Sequence, residues 1–231
     1  MQSVRLKTLP SSRAKTFLIR LFDLDFNMRV KLLWHTPNPE INVALAMRRC
    51  YSSKPIEDLE KELLSKPGYE KELIAKALRD KTFDVIEHAV FMFEIEGISR
   101  VCSHQLVRHR IASYDQESQR FSAVEREDFI VPHSIQSNPE ALKVYEGILK
   151  SSIEAFKRLK ELEVPKEDAR FVLPQSIGTK LVITANARAL MHFFYQRTAL
   201  QAQWEIRELA ELMLKECKRV APSIFAQVIE A

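Results

Sequence analysis

The sequence predicts an α+β fold, and three observations carry that prediction. Long stretches place apolar residues at helical spacing; the clearest is 139–162, with Leu142, Tyr145, Ile148, Leu149, Ile153, Phe156 and Leu159 on one face. A few short segments alternate with period two instead, as where Phe91, Phe93 and Ile95 oppose Met92, Glu94 and Glu96. Helices dominate and the strands are scattered, so the regular rhythm of a doubly wound sheet is missing. The architecture expected is a mixed sheet flanked by helices.

Residues 1–27 read as an N-terminal extension or an ordinary edge element, and 28–231 as a single domain. The extension is basic (Arg5, Lys7, Arg13, Lys15), but it has neither the long apolar region nor the cleavage site of a signal peptide. From Met28 to Trp34 the pattern suits a strand, stopped by Pro37-Asn38-Pro39. Residues 39–50 suit a helix with Pro39 near its start and Ile41, Ala44, Leu45 and Cys50 at helical spacing. Two Glu- and Lys-rich helices follow at 55–64 and 69–79, burying Leu59, Leu63, Leu64 and then Leu73, Ala77, Leu78. The strand 89–96 is expected to end at Gly97. Ser99 is expected to cap a short helix reaching about His109, with Val101, Cys102 and Leu106 inward. An irregular stretch, 112–117, should follow. Pro165 and Pro174 bracket a linker with an extended piece at Phe171-Val172-Leu173. A strand is expected at 180–185, and helix in one or two pieces from Ala187 to Val220.

Composition narrows the function. The chain is 46% hydrophobic and 29% charged, enough to bury a core in water. A net charge of +4 suits an anionic ligand but does not by itself imply nucleic acid. Its three cysteines, Cys50, Cys102 and Cys217, form no CxxC pair, and a reducing cytoplasm is the expected compartment. No apolar run is long enough to span a membrane, and the six histidines are too scattered to predict a metal site. Only four glycines occur, Gly68, Gly97, Gly147 and Gly178, so neither GxGxxG nor GxxxxGK[ST] is possible. A nucleotide bound here would have its phosphates held by side chains.

Two clusters could do so. In 100–120, Arg108, His109 and Arg110 stand in succession at an element boundary, where arginine forks could clamp a pyrophosphate. Ser118 and Arg120 would point to one side of an extended strand and could hold a second phosphate. The plain alternative is a solvated basic face paired with Asp115 and Glu117. In 186–197, Arg188 and His192 are four apart on one helix face, and Arg197 returns near it. Arginine among Leu190, Met191, Phe193, Phe194 and Tyr195 is costly unless paired or ligand-bound, and Glu205 or Glu208 could be the partner. Arg170 carries the same ambiguity. No Ser-His-Asp constellation is assignable.

Arg108-His109-Arg110, seven residues, then Ser118 resembles the signature of the flavin-dependent thymidylate synthases. The resemblance extends over 99–121, Arg170 to Pro174, Asn186-Ala187-Arg188 with His192 and Arg197, Ala202 to Glu205, Pro37 to Glu40, and Arg49 to Ser52. It covers about residues 28–225 and implies that family's fold and methylation of dUMP to dTMP. Methylenetetrahydrofolate would give the carbon and NADPH the electrons through FAD, in a homotetramer with active sites shared between subunits. The resemblance assigns Arg108, His109, Arg110 and, from another chain, Asn186, Arg188 and His192 to FAD, with Asp84 at a further FAD position. It assigns Gln105, Arg108, Gln116, Glu117, Ser118, Gln119, Arg120 and Arg170 to dUMP. Arg197 would lie against the uracil and favour its ionised form, since a fixed cation beside the base stabilises the anion. Family members usually show Gly-His and then Ser or Thr two positions on, where this chain has Lys81-Thr82 and Asp84. The competing classes are a weakened homologue that still binds both ligands and a nucleic-acid-binding module. Against the latter, acidic residues crowd the basic cluster.

Overall fold

The computed structural model describes residues 28–120 and 129–228. The expected extension at 1–27 lies outside the described residues. Four strands are present among them: β1 (Arg29–His35), β2 (Val90–Ser99), β3 (Ser113–Gln116) and β4 (Gly178–Asn186). The helices, in chain order, are α1 (Pro39–Cys50), α2 (Ile56–Leu64), α3 (Tyr69–Arg79), α4 (Arg100–Leu106), α5 (His133–Gln136), α6 (Pro139–Glu161), α7 (Lys166–Ala169), α8 (Ala187–Arg197) and α9 (Trp204–Val220). The chain divides into two compact units, one from 28–117 with the stretch after Gly178, the other from 118–178.

In the larger unit the strands run in the order β1-β2-β4-β3. β1 pairs antiparallel with β2, from Arg29 opposite Glu96 to His35 opposite Phe91, with a register shift between Leu32 and Trp34. β3 pairs antiparallel with β4, Ser113 opposite Thr184 and Gln116 opposite Leu181. The Ala187 amide, just past β4, donates to the Ala89 carbonyl, just before β2, at 2.7 Å. The α+β class holds, and the sheet inside it is antiparallel rather than mixed. Period-two alternation is what puts Phe91, Phe93, Ile95, Leu181, Ile183 and Ala185 on one buried face. That face meets Cys102 and Leu106 of α4, Leu190, Phe193 and Phe194 of α8, and Leu209, Met213 and Leu214 of α9 in a single core. Phe225 closes it edge-on to Phe91 and Phe194, with ring centroids 5.5 and 5.8 Å away.

The smaller unit is built on α6. Asn138 caps that helix, its side-chain oxygen accepting from the Glu140 and Ala141 amides at 3.1 and 3.2 Å. Leu149 and Ile153 of α6 pack with Phe129 and Ile177, which form an isolated antiparallel bridge. The Tyr145 hydroxyl donates to the Ile130 carbonyl at 2.9 Å.

Three local expectations are corrected. β2 does not stop at Gly97; the glycine takes φ 76 and the strand continues to Ser99. The stretch expected to be irregular after α4 contains β3, because β4 offers it an edge to pair with. Of Phe171-Val172-Leu173 only Leu173 is extended: a 3-10 turn runs Arg170–Val172, with the Leu173 amide donating to the Arg170 carbonyl at 3.0 Å.

Candidate active site

Ser99 caps α4 as expected, its hydroxyl accepting from the Cys102 amide at 3.0 Å. The helix then unwinds through tight turns. The amides of Val107, Arg108 and His109 donate to the carbonyls of Ser103, Gln105 and Leu106 at 3.0, 3.3 and 3.1 Å. Arg108, His109 and Arg110 therefore lie on the frayed end of a short helix. Tyr114, on β3, fastens that end: its hydroxyl lies 3.1 Å from the Leu106 carbonyl and 2.7 Å from that of His109. Burial pushes the Tyr114 phenol up to about 12, so it remains a donor.

β4 delivers the second cluster. Asn186 at its end caps α8, its side-chain oxygen accepting from the Ala189 amide at 2.9 Å. Arg188 follows in the first turn and Arg197 ends the helix. Arg108-His109-Arg110 of the first cluster and Asn186, Arg188, His192 and Arg197 of the second line one cavity of about 770 Å³ in a single chain, with Leu106, Ile183, Leu190 and Phe193 among its apolar walls. The FAD candidates Arg108, His109, Arg110, Asn186, Arg188 and His192 all reach it, together with Arg197. One chain brings both sets of FAD candidates to this cavity.

The ring of His109 lies edge-on to Phe193, centroids 4.9 Å apart and planes at 86°, and 6.3 Å from His192. Its Nε2 accepts a hydrogen bond from Arg197 Nε at 3.1 Å. Burial, then the Arg197 charge and then His192, hold His109 down to about 4, so it is neutral near pH 7. Arg188 Nη1 pairs with Glu87 Oε1 at 2.5 Å, not with Glu205 or Glu208. Glu205 is buried, and its carboxylate accepts from the Ser99 amide and hydroxyl, each at 2.6 Å. Burial raises its pKa against the lowering effect of those bonds.

Other candidates of the larger unit are not among the residues that line the cavity. Asp84 is exposed at the start of the 3-10 turn Val85–His88, its carbonyl accepting from the Glu87 amide at 3.1 Å. It is Glu87 that reaches the cavity. Gln105 is half-buried on α4. Gln116 Nε2 donates to Thr179 Oγ1 at 3.2 Å, and the Glu117 carbonyl accepts from Arg100 Nη2 at 2.8 Å. In the smaller unit, the Ser118 hydroxyl accepts from the Arg120 amide at 3.3 Å, a turn where an extended strand was expected. Gln119 between them is half-buried. Arg120 Nε lies 3.5 Å from the Glu167 carboxylate, and Arg170 Nε donates to the Glu167 carbonyl at 3.0 Å. Among the described residues, no group of three or more His, Cys, Asp or Glu could hold a metal ion, and no helix is long and apolar enough to cross a membrane.

Sequence reasoning missed Tyr114, the Glu205–Ser99 link and the pairing of Glu87 with Arg188. Glu87 is separated from Arg188 by 101 positions, and no local pattern announces such a pair.

The chain matches the family described as Thymidylate synthase complementing protein over residues 31–223. It is 46% identical over 205 residues to the flavin-dependent thymidylate synthase of Geobacter sulfurreducens, covering 86% of this chain and 85% of that one. It is 42% identical over 209 residues to that of Nitratidesulfovibrio vulgaris, with coverage of 86% and 85%. Among solved structures, a UMP/dUMP methylase PolB from Streptomyces cacaoi, bound with 5-Br dUMP, shares the fold. The TM-score is 0.78 at 24% identity, covering 87% of this chain and 94% of that one. Fold and relatives together define a flavin-dependent enzyme of the methyl-transferring class. The chain belongs to the flavin-dependent thymidylate synthase family.

Proposed function

We propose that the protein methylates dUMP to dTMP, using methylenetetrahydrofolate as carbon donor and NADPH as reductant through FAD. The observation that carries this reading is the joining of both signature clusters on one cavity. Its donor set fits a dinucleotide held without a glycine loop. Arg108, Arg110 and Arg188 offer N–H forks for phosphate oxygens, and Ile183, Leu190 and Phe193 offer an apolar wall for a flat ring. Asn186, His109 and His192 complete the proposed FAD contacts on the cavity; Asp84, which does not line it, is assigned on the family resemblance alone. Bound flavin supplies the reducing equivalents.

The protein's own part is to bind, orient and polarise. Arg197 brings a fixed positive charge to the cavity wall, where it would stabilise the ionised uracil. We assign Gln105, Arg108, Gln116, Glu117, Ser118, Gln119, Arg120 and Arg170 to dUMP on the family resemblance. No protein nucleophile is invoked; Cys50 is not among the cavity-lining residues, and the other two cysteines support the reading. Cys102 and Cys217 are buried, and burial pushes both thiols well above their ordinary range, so neither supplies a thiolate at neutral pH. A cytoplasmic homotetramer is the proposed working form.

An absorbance spectrum combined with tritium release from labelled dUMP tests the reading. The purified protein should be yellow and release tritium only with both NADPH and methylenetetrahydrofolate. A folded, colourless protein that takes up no added FAD would refute it.

A further inference from the structure

We propose that His109 is a positioning residue for Arg197, its neutral ring accepting the Arg197 Nε hydrogen and aiming the guanidinium without neutralising it. The inference rests on the proposed role of Arg197 toward the pyrimidine and adds how that cation is held. The two residues are 88 apart in sequence and meet at 3.1 Å, so the contact is made by the fold. An Arg guanidinium has five N–H groups; this bond uses the one on Nε and leaves four on the two terminal nitrogens. To accept, Nε2 must carry a lone pair, which places the ring proton on Nδ1.

The neutral acceptor sets Arg197 apart from the salt-bridged arginines of the larger unit, Arg188 on the same cavity among them. Arg188 is paired with the Glu87 carboxylate and Arg48 with that of Glu62. Among the described residues Arg197 makes no ion pair. A carboxylate in the place of His109 would orient Arg197 equally well but cancel the charge that an anionic ligand is to meet. An imidazole orients it and leaves the field intact. Burial, then the Arg197 charge and then His192, keep that imidazole neutral; the other charged groups near it are Arg108 and Arg110, which flank it in sequence, and Arg188, which lines the same cavity. Among the described residues the one carboxylate of that wall, Glu87, is already bonded to Arg188. The ring is also immobilised, by Phe193 edge-on and by the Tyr114 hydroxyl on the His109 carbonyl.

The test begins on wild-type full-length protein, with and without FAD, isotopically labelled at histidine and arginine. NMR should show His109 as the Nδ1–H tautomer, neutral well below pH 6, and a slowly exchanging Arg197 Nε–H. A His109 ring protonated at Nε2 near pH 7, or a freely exchanging Arg197 Nε–H, overturns the proposal. Two variants then separate positioning from packing. His109→Gln retains an acceptor for the same N–H, and His109→Leu does not. With FAD loading matched by absorbance, calorimetric titration with dUMP should show about tenfold weaker binding for the Leu variant and affinity near wild type for the Gln variant. Equal losses in both would overturn the proposal. If wild-type protein binds no dUMP, the functional reading fails, and the tautomer and exchange measurements still decide the contact.

Discussion

Lys81 has φ 57, the left-handed region that favours glycine. It follows the end of α3, where the Thr82 amide donates to the Ala77 carbonyl at 2.9 Å and the Lys81 amide to that of Leu78 at 3.4 Å. Those two bonds close a Schellman motif whose pivot is the residue after the C-cap. A glycine would turn the chain here without steric cost; a lysine turns it under strain. Lys81→Gly should therefore raise unfolding stability by about 1 kcal/mol in chemical denaturation, and a decrease would mean that the side chain contributes more than the strain costs. At the neighbouring position, Thr82→His should raise NADPH-dependent dTMP formation if that histidine matters here; unchanged rates would make it dispensable. Arg197→Ala should leave flavin bound, by absorbance, yet remove most turnover; wild-type rates would exclude it from the chemistry. His109 also sets a sign for pH. Its folded-state value lies below the ordinary one, so the stability it contributes is full above about pH 6.5 and is lost as pH falls toward about 4. Denaturation midpoints across that window should fall less steeply in His109→Gln than in the wild type.

At the level of elements, the link that matters most joins α9 to the β2–α4 junction. Glu205 stands in the first turn of α9, and its carboxylate receives both hydrogens that Ser99 can give. Since Ser99 is also the cap of α4, the helix carrying Gln105 and leading into Arg108 is anchored from behind. Glu205→Gln would turn an amide toward a donor already in place, costing about 1–3 kcal/mol of stability. Thermal unfolding should show the loss, and a stability equal to wild type would remove Glu205 from this role. Elements with strong local instructions were legible in the sequence. Pro39 opens α1 and Ser99 caps α4, each by a mechanism contained in a few neighbouring residues, and α6 declares itself by its apolar periodicity. β3 was not legible, because Ser-Tyr-Asp-Gln has little strand character of its own and is ordered by β4, more than sixty residues away. The run of β2 past Gly97 was hidden for a related reason: a glycine reads as a stop, whereas tertiary pairing can carry a strand through it.

Across the whole molecule, the candidate site divides in the same way. The residue types were legible, since the scarcity of glycine directed attention to arginines and the two clusters are local in sequence. Their pairings were not. Arg197 with His109 and Arg188 with Glu87 span 88 and 101 positions, and only the folded chain selects those partners over Glu205 or Glu208. The exposed side chains of Ile111, Tyr195 and Leu200 are consistent with the proposed tetramer, which light scattering on the purified protein would check. A cavity whose anion donors are long cationic side chains has one more consequence. Arg108, Arg110 and Arg188 stand in contact with water, so their pull on a phosphate is open to mobile ions in a way that the neutral amides of a glycine loop are not. Raising ionic strength from ~0.1 M to ~1 M shrinks the reach of such charges from ~10 Å to ~3 Å. Dialysis at high salt should therefore strip flavin progressively, and sulfate, which competes for the same forks, should strip it faster than chloride.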